Sequence, residues 1–356
     1  MTIKKGRGES MERIVIGRTG LEAYRLGLGG IPIQRVSEDQ AVETVFHAVQ
    51  RGVDFIDTSR AYTTSERRIG LALKQTEKKV ILASKSHSKT AQGLRADLEM
   101  SLKELQRGSI DLYQCHFVKD EAEYREVVSP GGVLESLKKA KEEGLIGHIG
   151  ITSHSLDVLD RSLDDELFDT IMVCFSFLEP LAREKIIPKA LAKNVGVITM
   201  KPFSGGVIED ARLALKYTLS HPGILVIPGV EHKDLFEENW KVFQDGQPLT
   251  EREKKEIEEI QKRYEKVFCR RCDYCQPCSE EIPIQVVLGI RSMFKRMGQR
   301  VLQKGRHREA IDKARKCTAC GVCKERCPYQ LPIPDLIEEN LHWFDEQLKS
   351  SGSSGT

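Results

Sequence analysis

Eight of the ten cysteines crowd into the last quarter of the chain. Cys269, Cys272, Cys275 and Cys278 recur at every third position; Cys317, Cys320, Cys323 and Cys327 follow with C-x2-C-x2-C-x3-C spacing, and Pro328 comes next. The second run has the ligand spacing of a bacterial two-cluster [4Fe–4S] site, in which three thiolates hold one cubane and the fourth reaches the other. Cross-ligation then assigns one cluster to Cys269, Cys272, Cys275 and Cys327, and the second to Cys317, Cys320, Cys323 and Cys278. The first set departs from that spacing, with two residues rather than three before Cys278 and Ser279 in place of a proline. Paired four-cysteine zinc sites are the rival, since C-x2-C also suits tetrahedral zinc. Zinc knuckles, however, take two ligands and then separate, whereas these thiols run on unbroken. The chain starts without an apolar secretory leader, so the expectation is reduced thiols holding metal rather than disulfides.

A second set of reactive side chains falls at the ends of short β-like runs. Asp57 and Tyr62 follow one run, Lys85 another and His116 a third. Singly, each has a plain structural role available, as a turn cap, a packed ring, a solvated amine or a core histidine. Together, at the same end of adjacent strands, they make an acid-base set. A lysine eases proton release from a tyrosine, a carboxylate holds the lysine, and a histidine orients a polar substrate.

The elements that must position these groups are legible as alternating β-like and amphipathic helical runs over the first 245 residues. Strands are expected at Tyr24–Leu28, Phe55–Asp57, Val80–Ser84, Asp111–His116, Ile146–Thr152, Thr170–Phe175, Val197–Lys201 and Leu225–Pro228. Ser37 has N-cap chemistry for a helix from Ser37 to Gln50, in which Ala41, Val42, Val45, Phe46 and Val49 repeat at helical spacing. Eight βα units of this length fit an α/β fold, a (β/α)8 TIM barrel, with its chemistry at the C-terminal ends of the strands. A small α-helical, ferredoxin-like iron-sulfur domain is expected after it. The domain reading is a disordered N-terminus over 1–11, the barrel over 12–250, a charged connecting helix over 251–268, the iron-sulfur domain over 269–345 and a flexible tail over 346–356. Between the two cysteine sets, Pro283 to Lys304 reads as one helix with Arg291, Lys295, Arg296 and Arg300 on its basic face. The cysteine region also repeats itself, since Cys278-Ser-Glu-Glu-Ile-Pro-Ile and Cys327-Pro-Tyr-Gln-Leu-Pro-Ile match in pattern.

Composition narrows the classes. A hydrophobic share of 40%, a charged share of 30% and a net charge of +2 describe a globular chain and argue against a nucleic-acid binder, which would carry a basic excess. No run of apolar residues is long enough for a membrane span, so the expected location is the cytoplasm.

The segments RLGLGG, GVDFIDTSRAY, ASKSH, DLYQCHF, GHIGITSHS and VIPGVEHKDLFEENW resemble the aldo-keto reductase superfamily over roughly residues 12 to 245. The resemblance implies that Asp57, Tyr62, Lys85 and His116 are a catalytic tetrad in which Tyr62 protonates a carbonyl oxygen as hydride arrives from a nicotinamide. It also implies a carbonyl or alcohol substrate. For the nicotinamide it implies contacts from Thr152 and Ser153, which stand for the family's Ser-Asn, from Met172 in place of Gln, and from Met200, beside Lys201, in place of a stacking aromatic. Gly229 and Leu235 stand where cations would meet a 2′-phosphate, while Glu238 and Asn239 match the adenine-contacting pair. NAD, NADP or no nicotinamide all stay open, and a flavin is compatible with the same phosphate site. With the cysteine region included, the chain resembles the branch carrying a C-terminal two-[4Fe–4S] domain, with a ferredoxin- or flavodoxin-type electron partner. Three readings follow: a carbonyl oxidoreductase exchanging electrons through the clusters, a nicotinamide-dependent reductase with structural or oxygen-sensing clusters, and a non-catalytic electron carrier.

Overall fold

A computed structural model describes residues 12–303 and 305–352; the N-terminal segment expected to be disordered, 1–11, and the last four residues of the expected tail lie outside the described residues. The chain divides into two compact units, one running through Ser204 and again over Ile208–Glu253, the other comprising Gly205–Val207 and the residues from Lys254 onward.

The first unit opens with an antiparallel hairpin, β1 (Arg13–Val15) and β2 (Glu22–Tyr24), that the sequence patterning did not reveal. Ile16 and Ala23 from this hairpin join Phe55, Ala83, Leu112, Met172, Ile198 and Leu225 in one buried cluster, so the hairpin closes the floor of the barrel. Gly17 lies with φ of 51°, and a Cβ there would stand 2.2 Å from the Gly196 nitrogen, so only glycine lets the hairpin approach this closely.

Eight parallel strands follow: β3 (Leu28–Gly29), β4 (Phe55–Asp57), β5 (Ile81–Ser86), β6 (Ile110–Cys115), β7 (Ile146–Ser153), β8 (Thr170–Cys174), β9 (Gly196–Met200) and β10 (Ile224–Val226). Each pairs with the next in sequence, and the bridges Leu26 to Val226 and Gly29 to Gly229 join the last to the first. The sheet is therefore a closed barrel. The strand expected over Tyr24–Leu28 is split: Tyr24 ends β2, and only Leu28 and Gly29 enter the barrel. Arg25 explains the break, because its buried guanidinium donates to the Ile224 carbonyl and draws the chain across β10 before β3 begins.

The helices are α1 (Glu38–Arg51), α2 (Ser65–Leu73), α3 (Ala91–Leu105), α4 (Glu121–Val128), α5 (Val133–Glu142), α6 (Leu156–Asp165), α7 (Ile186–Ala192), α8 (Ala211–Leu219) and α9 (Lys233–Asp245). Ser37 caps α1 by accepting from the Gln40 N–H, and Ala41, Val45, Ala48 and Val49 bury its inner face.

Helix α10 (Glu251–Tyr264) begins with a capping box in which Thr250 and Glu253 exchange side-chain and backbone bonds. It ends at Tyr264 rather than Phe268. The remaining helices are α11 (Ile284–Leu288), α12 (Ile290–Met297), α13 (Arg306–Ala314), α14 (Val322–Glu325) and α15 (Ile333–Gly352). The single helix expected from Pro283 to Lys304 is broken at Gly289 and at Gly298, whose φ is 61°, and finishes in a 3-10 turn over Gly298–Leu302. Its basic face is partly spent within the unit, since Arg291 donates to Asn340 and lies over the Trp343 ring. Where a flexible tail was expected from residue 346, α15 continues to Gly352, because Phe344 and Leu348 still pack on the unit's core. Among the described residues, no helix is long and apolar enough to cross a membrane.

The repeat seen in the sequence is a repeat of conformation. Glu281 and Gln330 both sit left-handed, at φ of 51° and 50°, and donate to the carbonyls of Cys278 and Cys327. The apolar-Pro-Ile triplets then lead into α11 and α15, burying Ile282 and Ile284 in one case, Leu331 and Ile333 in the other.

Candidate active site and cysteine centre

Register places the four polar residues at one end of the barrel. Asp57 is the last residue of β4, Lys85 lies in β5 opposite Gln114 of β6, and His116 follows β6 directly. Tyr62 reaches over them from the β4 loop. Lys85 Nζ lies 2.5 Å from Asp57 Oδ2 and donates to the Thr58 carbonyl at 2.7 Å; Gln114 donates to the other Asp57 oxygen at 3.1 Å. Lys85 is 1% exposed and Asp57 3%. Burial alone would lower Lys85, but Asp57 and Tyr62 hold it above its ordinary value, so the ammonium stays charged.

The Lys85 ammonium is 5.1 Å from the Tyr62 ring centre and also reaches its hydroxyl. The sequence reading had Tyr62 releasing its proton more readily beside this lysine. The net direction is the opposite: burial pushes Tyr62 above its ordinary value and outweighs Lys85. A phenol kept protonated in this way is set to donate a proton. His116 meets Tyr62 edge to face, with centroids 5.7 Å apart.

Ser59, which the sequence reading passed over, orients His116 through a 3.0 Å contact between its hydroxyl and Nδ1. The Lys85 carbonyl already accepts from the Arg60 N–H. The Ser59 hydroxyl also lies 3.1 Å from that carbonyl; when its proton is directed to Nδ1 instead, Nε2–H is left to donate to a carbonyl oxygen. Burial first, then the neighbouring Lys85, His87, His154 and Lys201, hold His116 well below the usual histidine range, so the imidazole is neutral.

Two further histidines complete the mouth. His87 stacks on His116 at 3.8 Å, and His154 bonds Lys201 Nζ through Nε2 at 2.7 Å and packs edgewise on Phe117. Phe117 and Lys201 both have left-handed backbones, at φ of 56° and 59°, a conformation uncommon for side-chain-bearing residues. ASKSH and GITSHS contained both histidines, but nothing in their spacing said that tertiary closure would bring them to His116.

The residues expected at a nicotinamide are scattered in role. Thr152 accepts from the Phe117 N–H and Ser153 donates to the Val118 carbonyl, so both hydroxyls brace the loop after β6. Met172 is packed in the barrel interior and Met200 lies half-buried beside it. Gly229 forms the closing bridge to Gly29, Asn239 is buried on α9, and Glu238 is exposed. Glu231 is paired with Arg35 at 2.7 Å, which brings a cation to the end of β10 that the sequence reading did not include.

In the second unit the cysteines gather across the two sets. Burial pushes the Cys272 thiol up to about 12, and Cys269 and Cys327 add to the shift; Cys275 is raised by burial and then by Cys269 among its neighbours. These four thiols therefore share one environment. Cys278 lines a cavity of about 360 Å³ together with Cys275, Cys317, Cys320 and Cys323. The loops carrying the two sets match in backbone: Arg271 and Ala319, each two residues past the first cysteine, have φ of 58° and 52°, and Asp273 and Gly321, each four past it, have 63° and 80°. The Arg271 N–H points at the Cys269 sulfur at 3.4 Å. All eight thiols are free of disulfides. Among the described residues, no three His, Cys, Asp or Glu side chains converge to hold a single metal ion. Eight thiols free of disulfides on two loops are a donor set of the chemical type that an iron-sulfur cluster takes.

A closed (β/α)8 barrel with an Asp-Lys pair, a tyrosine and a histidine at its C-terminal mouth is the architecture of a reductase barrel. The comparisons give the family: the model of the aldo/keto reductase family matches residues 25–212, and the chain belongs to that family, as an oxidoreductase of that type. It is 30% identical over 219 residues to an L-galactose dehydrogenase of Arabidopsis thaliana, covering 56% of this chain and 68% of the relative. Aldo-keto reductase YhdN of Bacillus subtilis (strain 168) is 28% identical over 228 residues, or 58% of this chain and 66% of the relative. Among solved structures, an aldo-keto reductase from Klebsiella pneumoniae in complex with NADPH superposes with a TM-score of 0.60 at 20% identity, covering 71% of this chain and 95% of the other. The holo form of an aldo-keto reductase from Bacillus halodurans gives 0.60 at 22% identity, with 70% and 96% covered.

Proposed function

We propose that the barrel reduces a small carbonyl compound, or runs the reverse oxidation of an alcohol, with Tyr62 as the proton donor and acceptor. The observation that carries this reading is the buried chain from Asp57 through Lys85 to Tyr62, beside a neutral His116. Nε2–H of His116 and the Tyr62 hydroxyl hold the carbonyl oxygen; as the carbon is reduced, the Tyr62 proton passes to that oxygen and Lys85 stabilises the phenolate left behind. NAD(P)H is the proposed hydride source, in line with the NADPH bound to the Klebsiella pneumoniae structure, and a flavin is a second candidate. The polar end of β7, Thr152 and Ser153, and the Lys201 ammonium would hold its polar parts, with Met172, Met200, Gly229, Glu238 and Asn239 as further contacts. The Arg35 guanidinium, paired with Glu231, is the cation nearest in role to a 2′-phosphate partner.

The second unit is proposed as a ferredoxin-type domain of the two-cluster branch of the family. Cys269, Cys272, Cys275 and Cys327 would hold one [4Fe–4S] cluster, and Cys278, Cys317, Cys320 and Cys323 the other. The repeated left-handed positions in the two loops support this reading. When bound, the two clusters would supply one electron each; that pair, taken up with two protons, would replace a hydride from NAD(P)H as the reductant rather than add to it. Electrons would be exchanged with a ferredoxin- or flavodoxin-type partner in the cytoplasm. The domain limits that go with it are 12–250 for the barrel, 251–268 for the connection and 269–345 for the clusters.

The test is purification without oxygen, followed by iron, zinc and sulfide analysis and turnover assays with NADH and NADPH. About eight iron and eight sulfide per chain are expected for two cubanes. Zinc without sulfide overturns the cluster assignment. Tyr62→Phe should abolish carbonyl reduction while leaving the fold intact; undiminished turnover removes the tetrad assignment.

A further inference from the structure

The Asp57 carboxylate is held from two sides. Lys85 Nζ meets its Oδ2 at 2.5 Å, and the Gln114 amide donates to Oδ1 at 3.1 Å. Gln114 is fully buried and shares a rung of the barrel with Lys85, since Lys85 of β5 pairs with Gln114 of β6, and Gln114 pairs with Gly150 of β7. The next strand makes room for the side chain. A Cβ on Gly150 would stand 2.9 Å from the Gln114 Cγ, closer than packed carbons come. The amide is also a burden on the fold. With Nε2 turned to the carboxylate, Oε1 is left buried with no hydrogen-bond partner among the described residues. An unsatisfied buried carbonyl is destabilising, and an apolar side chain of the same size would avoid it. Packing therefore gives no reason for glutamine at this place, whereas the bond to Asp57 does.

That bond reaches Tyr62 through the lysine. An ammonium has three protons, and Lys85 gives them to Asp57 Oδ2, to the Thr58 carbonyl at 2.7 Å and to the Tyr62 hydroxyl. With all three spent and the side chain 1% exposed, the aim of the proton at Tyr62 depends on where Oδ2 lies. Gln114 holds Oδ1, and so fixes the plane of the carboxylate. Released there, the carboxylate can turn about its Cβ–Cγ bond, and Lys85 follows the charge away from the phenol. We infer that Gln114 is a positioning residue, holding Asp57 so that Lys85 keeps a proton on the Tyr62 hydroxyl and steadies the phenolate that Tyr62 becomes when it protonates the carbonyl oxygen. The inference rests on the reading of Tyr62 as the proton donor.

Gln114→Met in the full chain, purified anaerobically, is the test. It keeps the volume and removes the orphaned carbonyl together with the bond, so the variant should fold with a urea midpoint close to that of wild type. With phenylglyoxal and NAD(P)H, kcat should fall about tenfold at unchanged KM, the size and pattern of one hydrogen bond to a charged group lost from the transition state alone. The second readout needs no turnover. In chain labelled at tyrosine Cζ, the Tyr62 NMR resonance, assigned by its loss in Tyr62→Phe, should move toward that of an unbonded phenol in Gln114→Met. An unmoved resonance overturns the inference, as does a change confined to KM. A Gln114→Met chain that fails to fold overturns it too, since the amide is then structural. If wild type reduces no carbonyl yet its Tyr62 resonance responds to Gln114→Met, the reductase reading fails while the hold of Gln114 on Tyr62 stands.

Discussion

Breaking the Asp57–Lys85 pair from one side should destabilise the barrel far more than removing both charges. Lys85 is 1% exposed and Asp57 3%, with the ammonium 2.5 Å from the carboxylate. Lys85→Met leaves the carboxylate in a dry interior with only the 3.1 Å bond from Gln114. Asp57→Asn leaves a buried ammonium bonded to the Thr58 carbonyl at 2.7 Å. Orphaning one member of a buried pair costs about 3 to 5 kcal/mol, whereas replacing both members is often near neutral. The double variant should therefore lose less than either single one, giving a coupling of about 3 kcal/mol or more against simple addition. Urea unfolding read by tryptophan fluorescence is the assay. Trp240 is buried in the barrel, and carrying all variants in a Trp343→Phe background makes the signal report that unit alone. Single losses that add to within about 0.5 kcal/mol would refute the reasoning, since they would mean that the two charges do not depend on each other.

Three further outcomes follow from other parts of the chain. Ser37→Ala removes the acceptor for the Gln40 N–H at the start of α1 and should lower barrel stability by about 1 kcal/mol in the same urea assay. Glu253 is held at about 2, first by the Thr250 backbone N–H and further by Lys216, against an ordinary 4.5. A carboxyl depressed on folding contributes stability that is complete above its unfolded value and is lost as pH falls toward about 2, so the Glu253→Gln variant should show a shallower loss of urea midpoint than wild type between pH 4.5 and 2. Cys327→Ser should remove about half of the iron, and the remaining signal should match that of the cluster left by Cys269→Ser, because both cysteines serve the same cubane in the cross-ligated arrangement; a match to Cys317→Ser instead would mean that each set serves its own.

What the sequence made legible, and what it hid, divides by how far apart in the chain the cooperating groups lie. Strand ends such as Asp57 and Met200 were found to within a residue or so, because apolar runs flanked by turn residues mark them locally. The β1–β2 hairpin was missed, since three-residue strands carry too little alternation to register. The helix over Pro283 to Lys304 was drawn too long, because its apolar periodicity hides two glycines that let the chain turn. The convergence of Asp57, Tyr62, Lys85 and His116 was visible through types and position on adjacent strands, yet the direction of the Tyr62 shift was not, because burial is a property of closure and overrides the nearer and more obvious lysine.

The same distinction explains the contrast between the two reactive regions. In the proposed cross-ligated arrangement the cysteine sets advertise themselves because three of every four donors would come from one short loop, and the two loops repeat their left-handed turns at Arg271 and Asp273 as at Ala319 and Gly321. A ligand set so dominated by local chain geometry is written in spacing. The mouth of the barrel is built in the opposite way: His87, His116, His154 and Lys201 each come from a different strand end, and only the parallel register of β5, β6, β7 and β9 makes them neighbours. A group assembled by register has no spacing of its own. The four proposed catalytic residues can therefore be kept while the groups at other strand ends change around them.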